Sequence, residues 1–188
     1  MERNGKEVEV KVRLTDGRSI REKILALGFI VRIERCLEDN WVLDFPDQSL
    51  RQKRSLFRLR EYAGKTILTY KGPSELSKNF KIREELETEI HDGPDFLRIM
   101  EKLGMQLSFR YQKYRTEFCS TENNLIQKVL VTLDETPMGD YLEIEGGEET
   151  ILEVASRLGF SPADFITESY LALYLEKNPG TTEMRMVF

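Results

Sequence analysis

The fold is indicated by a stretch near the start of the chain, where residues 7–13 read EVEVKVR. Successive side chains of a β-strand point to opposite faces, so Glu7, Glu9, Lys11 and Arg13 share one face and three valines share the other. Two carboxylates and two cations on one wall can hold a metal ion beside an anion. An amphipathic surface strand alternates in the same way, so this stretch alone does not indicate a binding site. The strands that follow decide between the two interpretations.

The same alternation recurs along the chain, with charged side chains at every second position of most predicted strands. Their opposite faces are rich in Val, Leu, Ile and Phe. If the apolar stripes of the helices cover those faces, the charged faces point into the lumen of a barrel. Burying so many charges is costly unless they pair or bind ions, so we infer a lumen whose carboxylates hold metal and whose cations hold a polyphosphate. The charged positions are Arg58, Arg60, Lys71, Arg83, Glu85, Glu87, Glu89, Lys113, Arg115, Glu117, Asp134, Glu143 and Glu145.

Turn and capping signals divide the chain into about eight strands and four helices. Asp16 is placed to cap the first helix, Gly28 to end it, and Ala63-Gly64 to join a hairpin, while Leu103 of the second helix is expected to face inward. This order predicts an α+β fold, a closed or nearly closed antiparallel β-barrel with α-helices packed around the outside. We expect helices at about 16–27, 93–103 and 148–158 and from 161, and strands at about 7–13, 29–38, 40–45, 56–62, 65–71, 81–91, 106–120, 125–134 and 141–145.

Composition limits the partners. The chain has 188 residues, of which 40% are hydrophobic and 32% are charged, with a net charge of −5 and a pI of about 5.2. This balance offers no polycationic surface for DNA. No apolar run approaches the roughly 20 residues that span a bilayer, and the N-terminus lacks the apolar segment of a signal peptide. We therefore expect a cytoplasmic protein that does not contact membranes.

Scarce residue types exclude several kinds of site. The chain has two cysteines, Cys36 and Cys119, and one histidine, His91, which argues against a disulfide framework, a zinc site and a Ser-His-Asp triad. The remaining chemistry uses carboxylates, lysines and arginines. Carboxylate oxygens suit hard cations such as Mg²⁺ or Mn²⁺, and lysines and arginines suit phosphate.

Several motifs, taken in order, resemble one known family. The spacing Glu7-x-Glu9-x-Lys11 is similar to the ExExK signature of the CYTH superfamily, the triphosphate tunnel metalloenzymes, which include class IV adenylyl cyclases, thiamine triphosphatases and inorganic triphosphatases. The resemblance runs from about residue 5 to 175, which implies a single domain over 1–188 with a C-terminal tail from about 176. Further matching stretches are LFRLR at 56–60, TYKGP at 69–73, REELE at 83–87, KYR at 113–115, the acidic segment 134–145 and SYL at 169–171.

The resemblance implies an eight-stranded antiparallel tunnel and a role for each matching residue. Glu9, Lys11, Glu143 and Glu145 would carry the catalysis with Mg²⁺ or Mn²⁺, and Glu85 and Glu87 would orient the cations. The triphosphate would be bound by Lys11, Arg58, Arg60, Lys71, Arg83, Lys113 and Arg115. The metal would be held by Glu7, Glu9, Asp134, Glu143 and Glu145.

Three functions stay open from the sequence. In a triphosphatase, water attacks the terminal phosphorus and releases orthophosphate; in a class IV adenylyl cyclase, the ribose 3′-oxygen of ATP attacks the α-phosphorus and releases pyrophosphate. The paired Glu143 and Glu145 favour hydrolysis, because a metal-bound water benefits from a second carboxylate. A non-catalytic module that binds polyphosphate or RNA ends gains nothing from so many carboxylates. ATP, thiamine triphosphate and inorganic triphosphate are the candidate substrates, and a homodimer stays open.

Overall fold

Eight long strands build the barrel and hydrogen-bond in a closed cycle. The structure is a computed structural model, and it describes residues 6–75, 77–120 and 129–188. The strands are β1 (Lys6–Leu14), β2 (Phe29–Asp44), β3 (Leu56–Tyr62), β4 (Lys65–Lys71), β5 (Lys81–Ile90), β6 (Gln106–Ser120), β7 (Leu130–Thr136) and β8 (Gly139–Glu145). Around the barrel the order is β6-β2-β3-β4-β5-β1-β8-β7, and the pairing of β7 with β6 closes the ring. All eight neighbouring pairs are antiparallel, as the sequence predicts.

Helices and two short strands complete the described part of the chain. The helices are α1 (Gly17–Ala26), α2 (Ser49–Gln52), α3 (Gly93–Lys102), α4 (Glu148–Leu158) and α5 (Tyr170–Lys177). The short strand β9 (Phe165–Ile166) pairs with β1, and β10 (Arg185–Met186) lies parallel to β6. Within the described residues, no helix is long and apolar enough to cross a bilayer.

Local signals in the sequence place several of these elements. The Asp16 side chain accepts hydrogen bonds from the backbone N–H groups of Arg18 and Ser19 and so caps α1. The predicted hairpin turn at Ala63-Gly64 joins β3 and β4, and both residues have positive φ, 50° and 75°. Such angles fit the tight turns that match the twist of a two-stranded ribbon.

The main core lies between the outer face of the barrel and helices α1 and α4. Val10, Val131 and Ile144, at most 1% exposed, point outward from three neighbouring strands and pack against Ile24 and Val154 of the two helices. The apolar faces of these strands are therefore covered by helices, and their charged faces point into the lumen. This is the arrangement that the alternating pattern predicts.

A second core closes one end of the barrel. Tyr170 and Tyr174 of α5 pack on the lumen-facing aromatic rings of Phe109, Tyr111 and Tyr141, with ring centroids 5.4–5.9 Å apart. Aromatic pairs at these separations contribute stability beyond the area that they bury. Helix α5 is thus anchored across the lumen rather than on the outer face.

Two predictions about secondary structure and one about side-chain exposure are wrong. Residues 29–44 form one continuous strand instead of two, because Asp39, at the expected break, accepts hydrogen bonds from Arg110 and Gln112 of β6. The helix expected from residue 161 is a single 3₁₀ turn, Pro162–Asp164, and the next helix starts at Tyr170. Leu103 is 67% exposed, since α3 is only half-buried against the barrel.

The predicted strand at 125–134 is found in part. Strand β7 runs from Leu130 to Thr136, two residues beyond the expected end. Residues 125–128 and the predicted turn at 121–124 lie outside the described residues.

Candidate active site

The lumen holds a cavity with a volume of about 1650 Å³ that is lined by side chains from all eight long strands. Of the twelve residues predicted for catalysis, substrate binding or metal binding, eleven line it. The exception is Asp134, which is fully buried behind the lining. The eleven lining residues are Glu7, Glu9, Lys11, Arg58, Arg60, Lys71, Arg83, Lys113, Arg115, Glu143 and Glu145.

Strand β1 places its three signature side chains against cations and carboxylates of its neighbours. Glu7 accepts a hydrogen bond of 2.7 Å from Lys71 and lies 3.3 Å from Nε of Arg83. Lys11 donates to Glu143, directly opposite it on β8, at 2.6 Å. The charges of Glu143 and neighbouring carboxylates outweigh the effect of burial and raise the pKa of Lys11, so this ammonium stays charged.

Asp134 of β7 orients two cations of the neighbouring strand β6. Its carboxylate accepts hydrogen bonds from Lys113 at 2.8 Å, from Arg115 at 2.6 and 2.7 Å, and from the hydroxyl of Tyr170 at 2.6 Å. Arg115 also donates to Glu143. Burial by itself would raise the pKa of Glu143, but Lys11, Lys113 and Arg115 hold that pKa well below its usual range. In this structure Asp134 therefore orients Lys113 and Arg115 and does not line the cavity.

Strands β3 to β5 contribute a second group of cations. Arg58 donates to the hydroxyl of Tyr111 at 3.0 Å, and Arg60 lies 3.0 Å from Glu87. The ammonium of Lys71 lies 3.1 Å from Glu85. Glu85 and Glu87 thus lie beside cations, and the role of orienting those cations stays a prediction.

The sequence prediction missed Glu38, a fully buried carboxylate. It lies at the centre of a cationic wall, the part of the lumen formed by Arg60, Lys113 and Arg115. It lies 3.3 Å from Lys113 and 3.7 Å from both Arg60 and Arg115, and it accepts a hydrogen bond from Asn40. Burial acts to raise its pKa, but the cations outweigh this effect and hold the pKa below its usual range. The prediction of a strand break at this point concealed the signal, since one continuous strand puts Glu38 and Asn40 on the lumen face.

Lys81 is a second missed residue. Its ammonium lies 2.8 Å from Glu9, and burial lowers the pKa of Lys81 to about 8 despite this partner. The signal was present in the sequence: Lys81 stands two residues before Arg83 and therefore on the same face of β5.

Glu145 differs from the other predicted metal ligands. In the part of the chain that the structure describes, it has no ion-pair or hydrogen-bond partner, whereas Glu7, Glu9, Asp134 and Glu143 each contact at least one cation. It stands directly opposite Glu9 in the β1–β8 register. Burial, together with the charges of Glu7 and Glu85, raises the pKa of Glu145 to about 7.

This acidic pair fits a divalent cation. Like charges directly opposite each other on neighbouring strands repel, and a hard cation bound between carboxylates offsets that repulsion. Among the described residues, no three carboxylate, imidazole or thiol side chains already converge on one point, because most carboxylates contact lysine or arginine instead. A polyphosphate that takes over those cations would release carboxylates such as Glu9 and Glu143 for a metal ion.

Comparison with known proteins shows relatives that match most of the chain. A protein of Methanocaldococcus jannaschii, named as a "putative adenylate cyclase", is 28% identical over 172 residues, which is 89% of this chain and 97% of that protein. The structure of a "putative adenylate cyclase" from Vibrio parahaemolyticus has a TM-score of 0.79 at 22% identity, with 92% of this chain and 99% of that chain covered.

A third relative comes from Hippeastrum and is described as a "putative adenylyl cyclase" with a dominant triphosphatase activity. Its structure has a TM-score of 0.64 at 18% identity, with 91% of this chain and 96% of that chain covered. At these identities the two solved structures show the shared fold. The sequence model of the CYTH domain matches residues 5–170, and the chain therefore belongs to the CYTH domain family.

Proposed function

We propose that this protein is a metal-dependent triphosphatase, which hydrolyses a triphosphate bound in the lumen and releases orthophosphate. The observation that carries the proposal is Glu145, a half-buried cavity carboxylate with no ion pair or hydrogen bond to a cation among the described residues. A carboxylate that is not engaged by lysine or arginine can accept the proton of an attacking water. Hydrolysis needs such a group, whereas a module that only binds anions is weakened by it.

The cations supply the substrate affinity in this proposal. A triphosphate carries about four negative charges, and clustered lysine and arginine side chains can neutralise them with charge-assisted hydrogen bonds. Phosphoryl transfer depends on positioning and charge stabilisation more than on covalent help from the protein. The proposed binding set is Lys11, Arg58, Arg60, Lys71, Arg83, Lys113 and Arg115, and Lys81 joins it.

The proposed metal ligands are Glu7, Glu9, Glu143 and Glu145, with Mg²⁺ or Mn²⁺ as the ion and Asp134 acting through the cations that it holds. A divalent ion bound there would offset phosphate charge and lower the pKa of a bound water. Glu9 and Glu145 face each other across neighbouring strands, which supports this placement. The cytoplasmic location and a homodimer stay predictions.

A class IV adenylyl cyclase is the second candidate, because the Methanocaldococcus jannaschii relative, 28% identical, is named as a putative adenylate cyclase. The same cations would hold ATP, and the α-phosphorus would stand at the catalytic position. The two reactions differ in their products, so one experiment separates them.

The deciding experiment incubates the protein with Mg²⁺ or Mn²⁺ and, separately, ATP, inorganic triphosphate and thiamine triphosphate, with all products resolved. Orthophosphate without a cyclic product is the expected result. Cyclic AMP with pyrophosphate would establish the cyclase instead. Tight binding without turnover, unaffected by a chelator, would identify a non-catalytic module.

Matched variants test the assigned residues. Glu145→Gln, Glu9→Gln and Glu143→Gln should each abolish turnover, while Glu89→Gln, at the exposed end of β5, should leave it unchanged. Arg60→Ala should mainly raise KM, because Arg60 lies on the proposed phosphate-binding wall. Full activity in Glu145→Gln would remove the basis of the triphosphatase assignment.

A further inference from the structure

Glu38 lies behind the cations of the cavity rather than among them. Its side chain is fully buried and does not line the cavity, whereas Arg60, Lys113 and Arg115 all do. A phosphate group in the lumen therefore meets the three cations and not this carboxylate. The cations outweigh burial and hold the pKa of Glu38 below its usual range, so the carboxylate is charged. Glu38 is thus a fixed negative charge behind the surface that faces the ligand.

Glu38 contacts these cations more loosely than Asp134, the other carboxylate behind the lining. Asp134 accepts hydrogen bonds of 2.6–2.8 Å from Lys113 and Arg115. Glu38 lies 3.3 Å from the ammonium of Lys113 and 3.7 Å from the guanidinium groups of Arg60 and Arg115. Among the described residues its Oε1 atom accepts a hydrogen bond from Asn40, and its Oε2 atom accepts none. Glu38 therefore adds negative charge to the cationic wall without using the N–H groups of the arginines.

The three cations of the wall repel one another when no anion is bound in the lumen. Glu38 offsets this repulsion by Coulomb attraction, which acts at 3.3–3.7 Å without a hydrogen bond. A bound triphosphate, with about four negative charges, offsets the same repulsion through charge-assisted hydrogen bonds. Because Glu38 keeps its own charge behind the wall, it also repels the phosphate groups that the wall receives.

We infer that Glu38 is a positioning residue that acts as an internal counter-anion: it holds the cationic wall in place in the free protein and limits how tightly the wall binds a polyphosphate. This inference rests on the proposed binding of a triphosphate in the lumen. It also bears on product release, since the products of hydrolysis are anions that the same cations attract. Removal of the charge with little change of shape should tighten anion binding, whereas a merely structural role predicts weaker binding.

Calorimetric titration of pyrophosphate into the metal-free protein tests the inference without depending on turnover. Glu38→Gln should bind pyrophosphate about tenfold more tightly than the parent protein, because a nearby repelling charge is removed. Glu38→Asp keeps the charge and should show no such gain. Glu89→Gln makes the same change of net charge at the exposed end of β5, and as the control it should change the affinity less than about twofold.

Thermal unfolding with and without inorganic triphosphate is the second measurement, because Glu38→Gln loses the counter-charge that stabilises the free protein. Saturating triphosphate should raise the melting temperature of Glu38→Gln more than that of the parent protein, since the ligand supplies the missing negative charge. If the variant is unfolded in the absence of ligand, triphosphate should restore the fold. A variant that stays unfolded in saturating triphosphate would therefore contradict the inference.

The calorimetric outcomes are equally decisive. Equal or weaker pyrophosphate binding by Glu38→Gln would overturn the inference and leave Glu38 a structural role only. A gain of the same size in Glu38→Asp or Glu89→Gln would overturn it as well, because the effect would then not depend on a charge at this position. A failure of the proposed hydrolysis appears in the product assay alone and leaves the calorimetric difference between the variants in place.

Discussion

Removal of a single hydroxyl group, in Tyr170→Phe, tests how the cationic wall is held in place. The Tyr170 hydroxyl donates to Asp134 at 2.6 Å, and both side chains are buried. A hydrogen bond to a charged partner contributes about 1.5–3 kcal/mol to stability. Asp134 keeps its bonds to Lys113 and Arg115 in the variant, so we expect a loss in the lower part of this range, about 1.5–2 kcal/mol.

Tyr174→Phe is the matched control on the same helix. The Tyr174 hydroxyl donates to the backbone carbonyl of Glu183 at 3.0 Å, a neutral acceptor. A neutral hydrogen bond contributes about 0.5–1.5 kcal/mol, so this variant should lose less stability. Both substitutions keep the aromatic ring, which preserves the packing of α5 on the lumen.

The assay is urea unfolding of each variant, followed by steady-state kinetics with the preferred triphosphate. Tyr170→Phe should lower the urea midpoint more than Tyr174→Phe with an unchanged slope. It should also raise KM several-fold with a smaller change in kcat, because Tyr170 positions Asp134 and hence Lys113 and Arg115. Equal stability losses in the two variants, or an unchanged KM in Tyr170→Phe, would refute the positioning role.

Three further expectations follow from the lumen. In metal-free protein, the raised pKa of Glu145 lowers the free energy of unfolding as pH rises from about 4.5 to 7. Glu145→Gln should therefore be more stable than the parent protein by up to about 3 kcal/mol at pH 8 and by almost nothing at pH 4. Glu143→Gln should instead be less stable at pH 8, and urea unfolding at both pH values measures these differences. By calorimetry, Mn²⁺ should bind at least tenfold more tightly when inorganic triphosphate is present. Equal affinities would contradict the idea that the polyphosphate takes over the cations and so releases carboxylates for the metal. Glu38→Gln should destabilise by about 3–5 kcal/mol in urea unfolding, against less than about 0.5 kcal/mol for Glu89→Gln.

Much of the barrel can be predicted from local pattern. Alternation with period two assigns each side chain to a face, so the lumen positions of Glu9, Arg58 and Lys113 follow from their strands alone. The hairpin at Ala63-Gly64 and the cap at Asp16 are likewise local, because their conformations depend on the residues themselves. Prediction failed where a contact distant in sequence overrides the local signal, as at Asp39, which β6 keeps within a continuous strand.

The fold class and eleven of the residues that line the cavity follow from the amino-acid sequence, because the side-chain period of a strand is a local property. Which of those residues meet follows from the tertiary structure alone. The pairing of Lys11 with Glu143, the opposition of Glu9 and Glu145, and the withdrawal of Asp134 behind the lining all depend on strand register and barrel closure. The period-two pattern excludes a register shift of one residue but not a shift of two, and β1 and β8, more than a hundred residues apart, have no connecting turn to fix their register.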